Sequence, residues 1–196
     1  MSQSLPAYTR IAAILPCYSA VGDSTTIISA DGSTTTLTSR VRAVIHRLAR
    51  SRAIDLTALR ANTRAATERK NLEPLPLAPG LVLVPVKVRQ PRVAGDTTTG
   101  YVNFHTVTAV CVSKNKPYQA TITLSGKTEI PILWTAATVN RQLALARLAA
   151  STALTSQPLA ANAFHETFPG YAPDLLTLAV KLVDVFNEIL TMKQNM

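Results

Sequence analysis

The sequence predicts an α+β fold with antiparallel β-sheets, a basic amphipathic helix near the N-terminal third and a helical C-terminal tail. Strand segments rich in Thr, Val and Ile cluster in residues 8–37 and 81–134, and helical spacing of apolar residues appears between and after them. No internal repeat occurs. Hydrophobic residues make up 47% of the 196 residues, which suffices for a core and excludes a disordered polyelectrolyte.

The first strands are predicted at residues 8–15 and 25–37. The second segment carries Asp31–Gly32 at its centre, and this dipeptide is typical of a tight hairpin turn. Threonine runs on either side suit a half-exposed strand. We therefore expect a hairpin within residues 25–37.

A basic amphipathic helix is predicted at residues 40–50, with Thr38 or Ser39 as its N-cap. Apolar residues follow the i, i+3, i+4, i+7 pattern at Val41, Val44, Ile45 and Leu48. The opposite half carries Arg42, His46, Arg47 and Arg50, with Arg40 at its margin. No acid lies between Asp31 and Asp55 to neutralise this face.

A second helix is expected at residues 55–70, with Asp55 as its cap, and the two helices together are compatible with a helix-turn-helix. The proline-rich segment 72–79 is expected to cross the surface in an extended form. Further strands are predicted at 81–90 and 97–112, followed by a hairpin around Gly126 that joins 120–124 to 129–134. Pro131 favours an edge position.

The last helices are predicted at residues 135–150, behind a threonine cap, and at 173–190, with a loop over 151–172 between them. The predicted domains are a body at residues 1–150 and a helical extension at 151–196. An apolar stripe on the last helix is typical of core packing, and the alternative is a dimer or adaptor-binding helix.

Several function classes are excluded or not expected. The SGKT segment at 125–128 lacks the earlier glycine of a phosphate-binding loop, since residue 121 is threonine. Cys17 and Cys111 have no metal-ligand spacing and are expected to be buried thiols. No acid, base and nucleophile cluster appears, so we expect neither an enzyme nor a cofactor. No segment has the length and apolarity of a signal peptide or membrane span, which predicts a cytoplasmic protein.

The charge of the chain points to a polyanionic partner. The formal net charge is +9, and residues 1–150 hold 18 of the 20 Lys and Arg but only 7 of the 11 acids. Most of these bases are arginines, whose planar guanidinium groups bind phosphate in pairs of hydrogen bonds. A nucleic acid is therefore the expected partner.

The chain resembles the competence transcription factor ComK and its relatives over roughly residues 8–150. The similar segments are YTRIAAILP (8–16), TTIISADG (25–32), LVLVPVKVRQP (81–91), TGYVNFHTVTAV (99–110), ATITLSGKTEIPI (120–132) and VNRQLALARL (139–148). In place of the family's glycine- and serine-rich motif stands RVRAVIHRLARSRAIDL (40–56). The resemblance implies a dimeric or higher-order activator of competence genes at the nucleoid. It also implies binding to A/T-rich duplex DNA, largely in the minor groove, and control by an adaptor protein.

The residues expected to contact DNA are the arginines of the first helix and further bases in the strands and turns. They are Arg40, Arg42, Arg47, Arg50 and Arg52, with Lys87, Arg89, Arg92, Lys127 and Arg141 as secondary contributors. Two alternatives remain open: an RNA- or ribosome-associated protein, and a protein-interaction module that acts through the C-terminal helix.

Overall fold

The computed structural model describes residues 5–20, 22–68 and 71–156. The chain divides into two units, Met1–Ser156 and Gln157–Met196. The predicted helix at 173–190 lies outside the described residues. The predicted loop at 151–172 is wrong over its first six residues, because the helix Ala136–Ser156 continues through them, and the rest of that loop lies outside the described residues. Within them the predicted α+β class is confirmed, because three helices accompany strands that are all antiparallel to their neighbours.

Two antiparallel sheets carry the fold. The large sheet has the strand order β3-β2-β1-β6-β5-β4, and the small sheet has the order β7-β8-β9. The strands are β1 (Ile11–Ser19), β2 (Gly22–Ser29), β3 (Thr34–Leu37), β4 (Leu75–Ala78), β5 (Leu81–Lys87), β6 (Thr99–Asn103), β7 (Val107–Val112), β8 (Ala120–Leu124) and β9 (Glu129–Ile132). The helices are α1 (Val41–Ser51), α2 (Leu56–Thr67) and α3 (Ala136–Ser156).

The large sheet is covered on both faces. Its residues Ile11, Ile14, Ile27, Leu81 and Leu83 pack with α1 and Leu56 of α2, and we call this cluster the α1-side core. Its residues Ala12, Ala13, Ile28, Val82, Val84 and Val102 pack with the small sheet and α3, in what we call the α3-side core. A bulge between Ile11 and Ala13 places both alanines against the α3-side core, which the alternation of a regular strand would not do.

Helix α1 buries the predicted apolar stripe, namely Val41, Val44, Ile45 and Leu48, together with Ala49. The predicted cap is wrong, because Arg40 is the N-cap residue and its side chain makes no capping hydrogen bond. Instead, the Thr25 hydroxyl of β2 donates to the Ser39 carbonyl at 2.6 Å and so fixes the entry to the helix. At α2 the prediction holds, since the Asp55 carboxylate accepts the backbone N–H groups of Thr57 and Ala58.

The strands also differ from prediction in several places. The strand predicted at 8–15 begins as a 3₁₀ turn at Tyr8–Arg10 before β1. The proline-rich segment includes β4, an edge strand whose Leu75 and Leu77 are buried in the α1-side core. An edge position tolerates Pro76, because one side of the strand needs no hydrogen-bond donors. The predicted strand 97–112 is broken by a 3₁₀ turn at Phe104–Thr106, and β7 joins the other sheet.

Asn103 ends β6 at this break. Its buried amide donates to the carbonyls of Ile11 and Gly80, at 3.0 and 2.9 Å, while its Oδ1 accepts the backbone N–H groups of Val82 and His105, each at 3.3 Å. Three of these four partners, Ile11, Gly80 and Val82, lie between 21 and 92 residues away, so sequence periodicity does not reveal them. The predicted burial of Cys111 is wrong: it is exposed in β7, an edge strand of the small sheet in which four of the six residues are exposed. Cys17 is half-buried.

The small sheet meets β5 of the large sheet where β9 ends. The backbone N–H of Leu133 donates to the Lys87 carbonyl at 2.8 Å, and Gln119 donates to the Ile132 carbonyl at 2.9 Å. Trp134 follows, half-buried against the α3-side core. Thr135 then caps α3 through its hydroxyl, which accepts the Thr138 N–H, as predicted.

The turn between α1 and α2 has the hydrogen bonds of a Schellman motif. Ile54 donates its N–H to the Ala49 carbonyl and Ala53 donates to the Arg50 carbonyl, at 2.9 and 3.1 Å. Ala53 takes the left-handed position with φ of 53°, where glycine is the favoured residue. The side chain of Ile54 then packs on the α1-side core.

We expect Ala53→Gly to stabilise the protein by about 0.5–1 kcal/mol, because glycine adopts this φ without a steric cost. The measurement is urea unfolding of the full chain. Ala61→Gly is the matched control, since Ala61 is exposed within α2 and glycine there should cost about 1 kcal/mol. Equal destabilisation by both substitutions would contradict this account of the turn.

Candidate nucleic-acid interface

Helix α1 presents a basic row to solvent. Arg42, His46 and Arg50 are exposed at positions i, i+4 and i+8, opposite the buried stripe. Among the residues that the structure describes, neither Arg42 nor Arg50 forms an ion pair with a carboxylate. Arg47 is half-buried. The row is therefore a positively charged surface that an external polyanion can reach.

The carboxylates of the first unit are mostly engaged within it. Ser33 and Arg10 hold Asp31 in the β2–β3 turn, and the hydrogen bonds from Ser33, followed by that from Arg10, lower the pKa of Asp31 to about 2. The Glu73 side chain is 6% exposed, and its Oε1 lies 3.5 Å from Nε of Arg60 and 3.2 Å from Nη2 of Arg64. None of these contacts involves the arginines of α1.

Asp23, at the start of β2, joins this strand to the β5–β6 connection and to the start of α1. Its side chain is only 5% exposed, and Arg89 donates from Nη2 to its Oδ1. The other oxygen accepts the Thr97 N–H at 3.3 Å and lies 3.9 Å from Nε of Arg40. Burial raises the pKa of Asp23, but the hydrogen bonds from Thr97 and Arg89 together outweigh it and hold the pKa below its usual value of 3.8.

Tyr18, near the end of β1, lies next to this ion pair. The guanidinium carbons of Arg89 and Arg92 are 3.9 and 4.3 Å from the centre of its ring, a distance typical of cation–π contacts. Its hydroxyl accepts the Arg92 N–H at 3.0 Å and donates to the Asp96 carboxylate. This donation, with the backbone N–H of Val93, lowers the pKa of Asp96.

The connection between β5 and β6 forms a defined loop. We call residues 90–95 the arginine loop; all six are exposed. The Asp96 carboxylate closes it by accepting the backbone N–H groups of Arg92 at 2.9 Å and Val93 at 3.1 Å. Gly95 has a φ of 91°, which allows the sharp turn. Val93 at the tip is 65% exposed.

The structure brings some of the ten predicted contact residues together and separates others. One group lies at the end of the large sheet where β1 ends and β2 begins, and its members are Arg40, Lys87, Arg89 and Arg92. Arg42 follows Arg40 in the first turn of α1. Arg50 and Arg52 are at the opposite end of α1, where Arg52 stacks over Tyr8 at 4.2 Å. Lys127 lies in the β8–β9 turn and Arg141 on α3, and both are exposed. The ten residues do not form one continuous surface.

Arg89 requires a correction. Its side chain is 12% exposed and is engaged by Asp23, the Thr97 carbonyl and the Tyr18 ring. It is therefore not placed to contact DNA, and it holds the neighbouring segments instead.

The sequence-based prediction missed the residues that hold this end of the sheet. Tyr18, Asp23 and Asp96 are far apart in sequence, and no spacing rule joins them. One signal was present, because the stretch RQPRVAGD at 89–96 combines arginines with turn-forming residues. Lys114 and Lys116 were also missed; they are exposed in the loop that joins β7 to β8.

Residues 5–20, 22–68 and 71–156 contain no group of three or more His, Cys, Asp and Glu side chains arranged to hold a metal ion. Within the same ranges, no helix has the length and apolar character that crossing a membrane requires. No protein-family model matches the sequence, and no curated protein or solved structure matches it.

We expect Asp23→Asn to cost about 3 kcal/mol of unfolding free energy at neutral pH, because it leaves the largely buried Arg89 charge without its counterion. The folded pKa of Asp23 lies below 3.8, so its contribution is present above that pH and is lost as the pH falls through the folded pKa. The difference in unfolding free energy between the wild type and Asp23→Asn should therefore become smaller in acid. Urea unfolding at neutral and acidic pH measures it.

Glu129→Gln is the control for this experiment, because Glu129 is exposed and forms no ion pair with any described residue. It should leave the unfolding free energy nearly unchanged at both pH values. A gap between wild type and Asp23→Asn that stays constant down to strongly acidic pH would refute the assigned role of the Asp23 charge.

Proposed function

We propose that the protein is a non-enzymatic, DNA-binding transcription factor that resembles the competence activator ComK. It binds A/T-rich duplex DNA as a homo-oligomer at the nucleoid and activates genes of competence and DNA uptake. One observation carries the proposal: the exposed row of Arg42, His46 and Arg50 on α1 has no carboxylate ion pair within the described residues, in a chain of net charge +9.

The charge of this surface favours a phosphate backbone as its partner. Each arginine that contacts a phosphate releases condensed counterions, which makes binding strong at low salt and weak at high salt. The guanidinium fork also matches phosphate geometry better than an ammonium does. The five ion pairs found among the described residues involve Arg10, Arg40, Arg60, Arg64 and Arg89, which leaves the α1 row to an external anion.

The tyrosines near the basic residues favour a duplex over a single strand. Proteins that bind single strands stack bases on free aromatic rings. Here Arg52 covers Tyr8, and Arg89 and Arg92 lie over Tyr18. Both rings are already in contact with guanidinium groups, so the surface offers charge and shape rather than stacking platforms.

We expect the double variant Arg42→Ala, Arg50→Ala to weaken binding to a labelled A/T-rich duplex and to reduce the slope of log K against log salt by about two. The measurement is fluorescence anisotropy of the full chain at several salt concentrations. Arg147→Ala is the matched control, because Arg147 is exposed on α3, which packs on the opposite face of the large sheet. It should leave the slope almost unchanged.

Three outcomes would overturn the proposal. The absence of duplex binding by the wild type at low salt removes it directly. Tighter binding to structured RNA than to the duplex supports an RNA- or ribosome-associated protein instead. Loss of activity on deletion of residues 173–196, with no effect of charge reversal on α1, supports an interaction module that acts through its C-terminal segment.

A further inference from the structure

We propose that the arginine loop, residues 90–95, is the part of the protein that enters the DNA minor groove, with Arg92 as the inserted side chain and Val93 as an apolar wedge beside it. This inference rests on the proposed function and assigns its base-reading site. Helix α1 then contacts the phosphates that border the groove.

The dimensions of the elements support this division. An α-helix with its side chains is about 10–12 Å across, whereas the minor groove of B-form DNA is about 6 Å wide. Helix α1 is therefore too broad for that groove. A single arginine side chain can enter it, and in the arginine loop Arg92 is exposed next to Val93 at the tip.

The loop is held in a defined conformation before any ligand binds. The β5–β6 ladder continues into its base through the hydrogen bond from Val88 N–H to the Thr98 carbonyl, at 3.0 Å. Asp96 and the Tyr18 hydroxyl fix the backbone of Arg92. Because the loop is ordered in advance, its insertion costs less conformational entropy than the insertion of a flexible arm.

Arg92 has the chemistry that a narrow A/T-rich groove attracts. Such grooves have a strongly negative potential, which draws in arginine side chains. Within the described residues Arg92 forms no ion pair. Its guanidinium lies on Tyr18, so it turns away from that ring to insert, while Arg89 still covers the ring. Proteins that bind the minor groove frequently place an apolar side chain between base steps, and Val93 is exposed next to Arg92.

The arginine loop and α1 can contact the same duplex because both adjoin one cluster. Arg40 at the start of α1 lies 3.9 Å from Asp23, which binds Arg89. The guanidinium of Arg89 contacts the Tyr18 ring, and the same ring carries Arg92. Arg40 therefore lies close to the loop, where phosphates that flank an occupied minor groove would pass.

The test compares two duplexes that differ only in the minor groove. Replacing adenine by 2,6-diaminopurine adds an amino group there and leaves the major-groove edge unchanged. We expect the wild type to bind the diaminopurine duplex at least tenfold more weakly than the A/T duplex, as expected for loss of a specific base contact. In Arg92→Ala the ratio of the two affinities should fall close to one.

Arg42→Ala is the matched control, because it removes an arginine from α1 and should weaken binding to both duplexes without changing their ratio. Arg92→Lys keeps the charge but not the planar guanidinium. This variant should therefore retain most of the salt dependence of binding and lose most of the preference for the A/T duplex over the diaminopurine duplex. Circular dichroism of each variant verifies that it is folded.

The outcomes separate this inference from the proposed function. If the wild type binds both duplexes equally, or if Arg92→Ala and Arg92→Lys keep the full ratio, the arginine loop does not read the minor groove, while duplex binding itself still stands. If the wild type binds neither duplex at low salt, the proposed function and this inference are both wrong.

Discussion

The buried carboxylate of Asp23 is the interaction on which the basic end of the molecule depends. It is the point where β2, the β5–β6 connection and the start of α1 meet, through Arg89, Thr97 and Arg40. A buried ion pair contributes little net stability compared with apolar packing, but the loss of one partner is costly. Its effect here is therefore to fix the relative positions of these segments, and with them the arginine loop.

The engagement of acids within the fold also determines the charge of the surface. The chain has few carboxylates, and Asp23, Asp31 and Glu73 are paired with arginines that do not belong to the α1 row. Asp55 accepts hydrogen bonds at the start of α2, and Asp96 closes the arginine loop. The positive charge of α1 thus follows from where acids are placed as much as from the number of arginines.

The sequence predicted features that depend on neighbouring residues. The apolar spacing of α1, the Asp31–Gly32 turn and the Asp55 cap all involve contacts within a few positions, and each is present in the structure. Besides the local contact of Asn103 with His105, the break after Asn103 and the engagement of Arg89 depend on partners between 8 and 92 residues away. No periodicity encodes these distant partners. For the candidate site, the sequence identified most of its bases but not Asp23, Tyr18 and Asp96, which orient them.

The position of Trp134 has an optical consequence. It is the only tryptophan in the chain, and it packs against the α3-side core, whereas Tyr8 and Tyr101 pack against the α1-side core. Light at the red edge of the ultraviolet band excites this indole without exciting the phenol rings. Its fluorescence emission is therefore an intrinsic reporter for the α3-side core, and unfolding of that core can be followed separately from unfolding of the α1-side core.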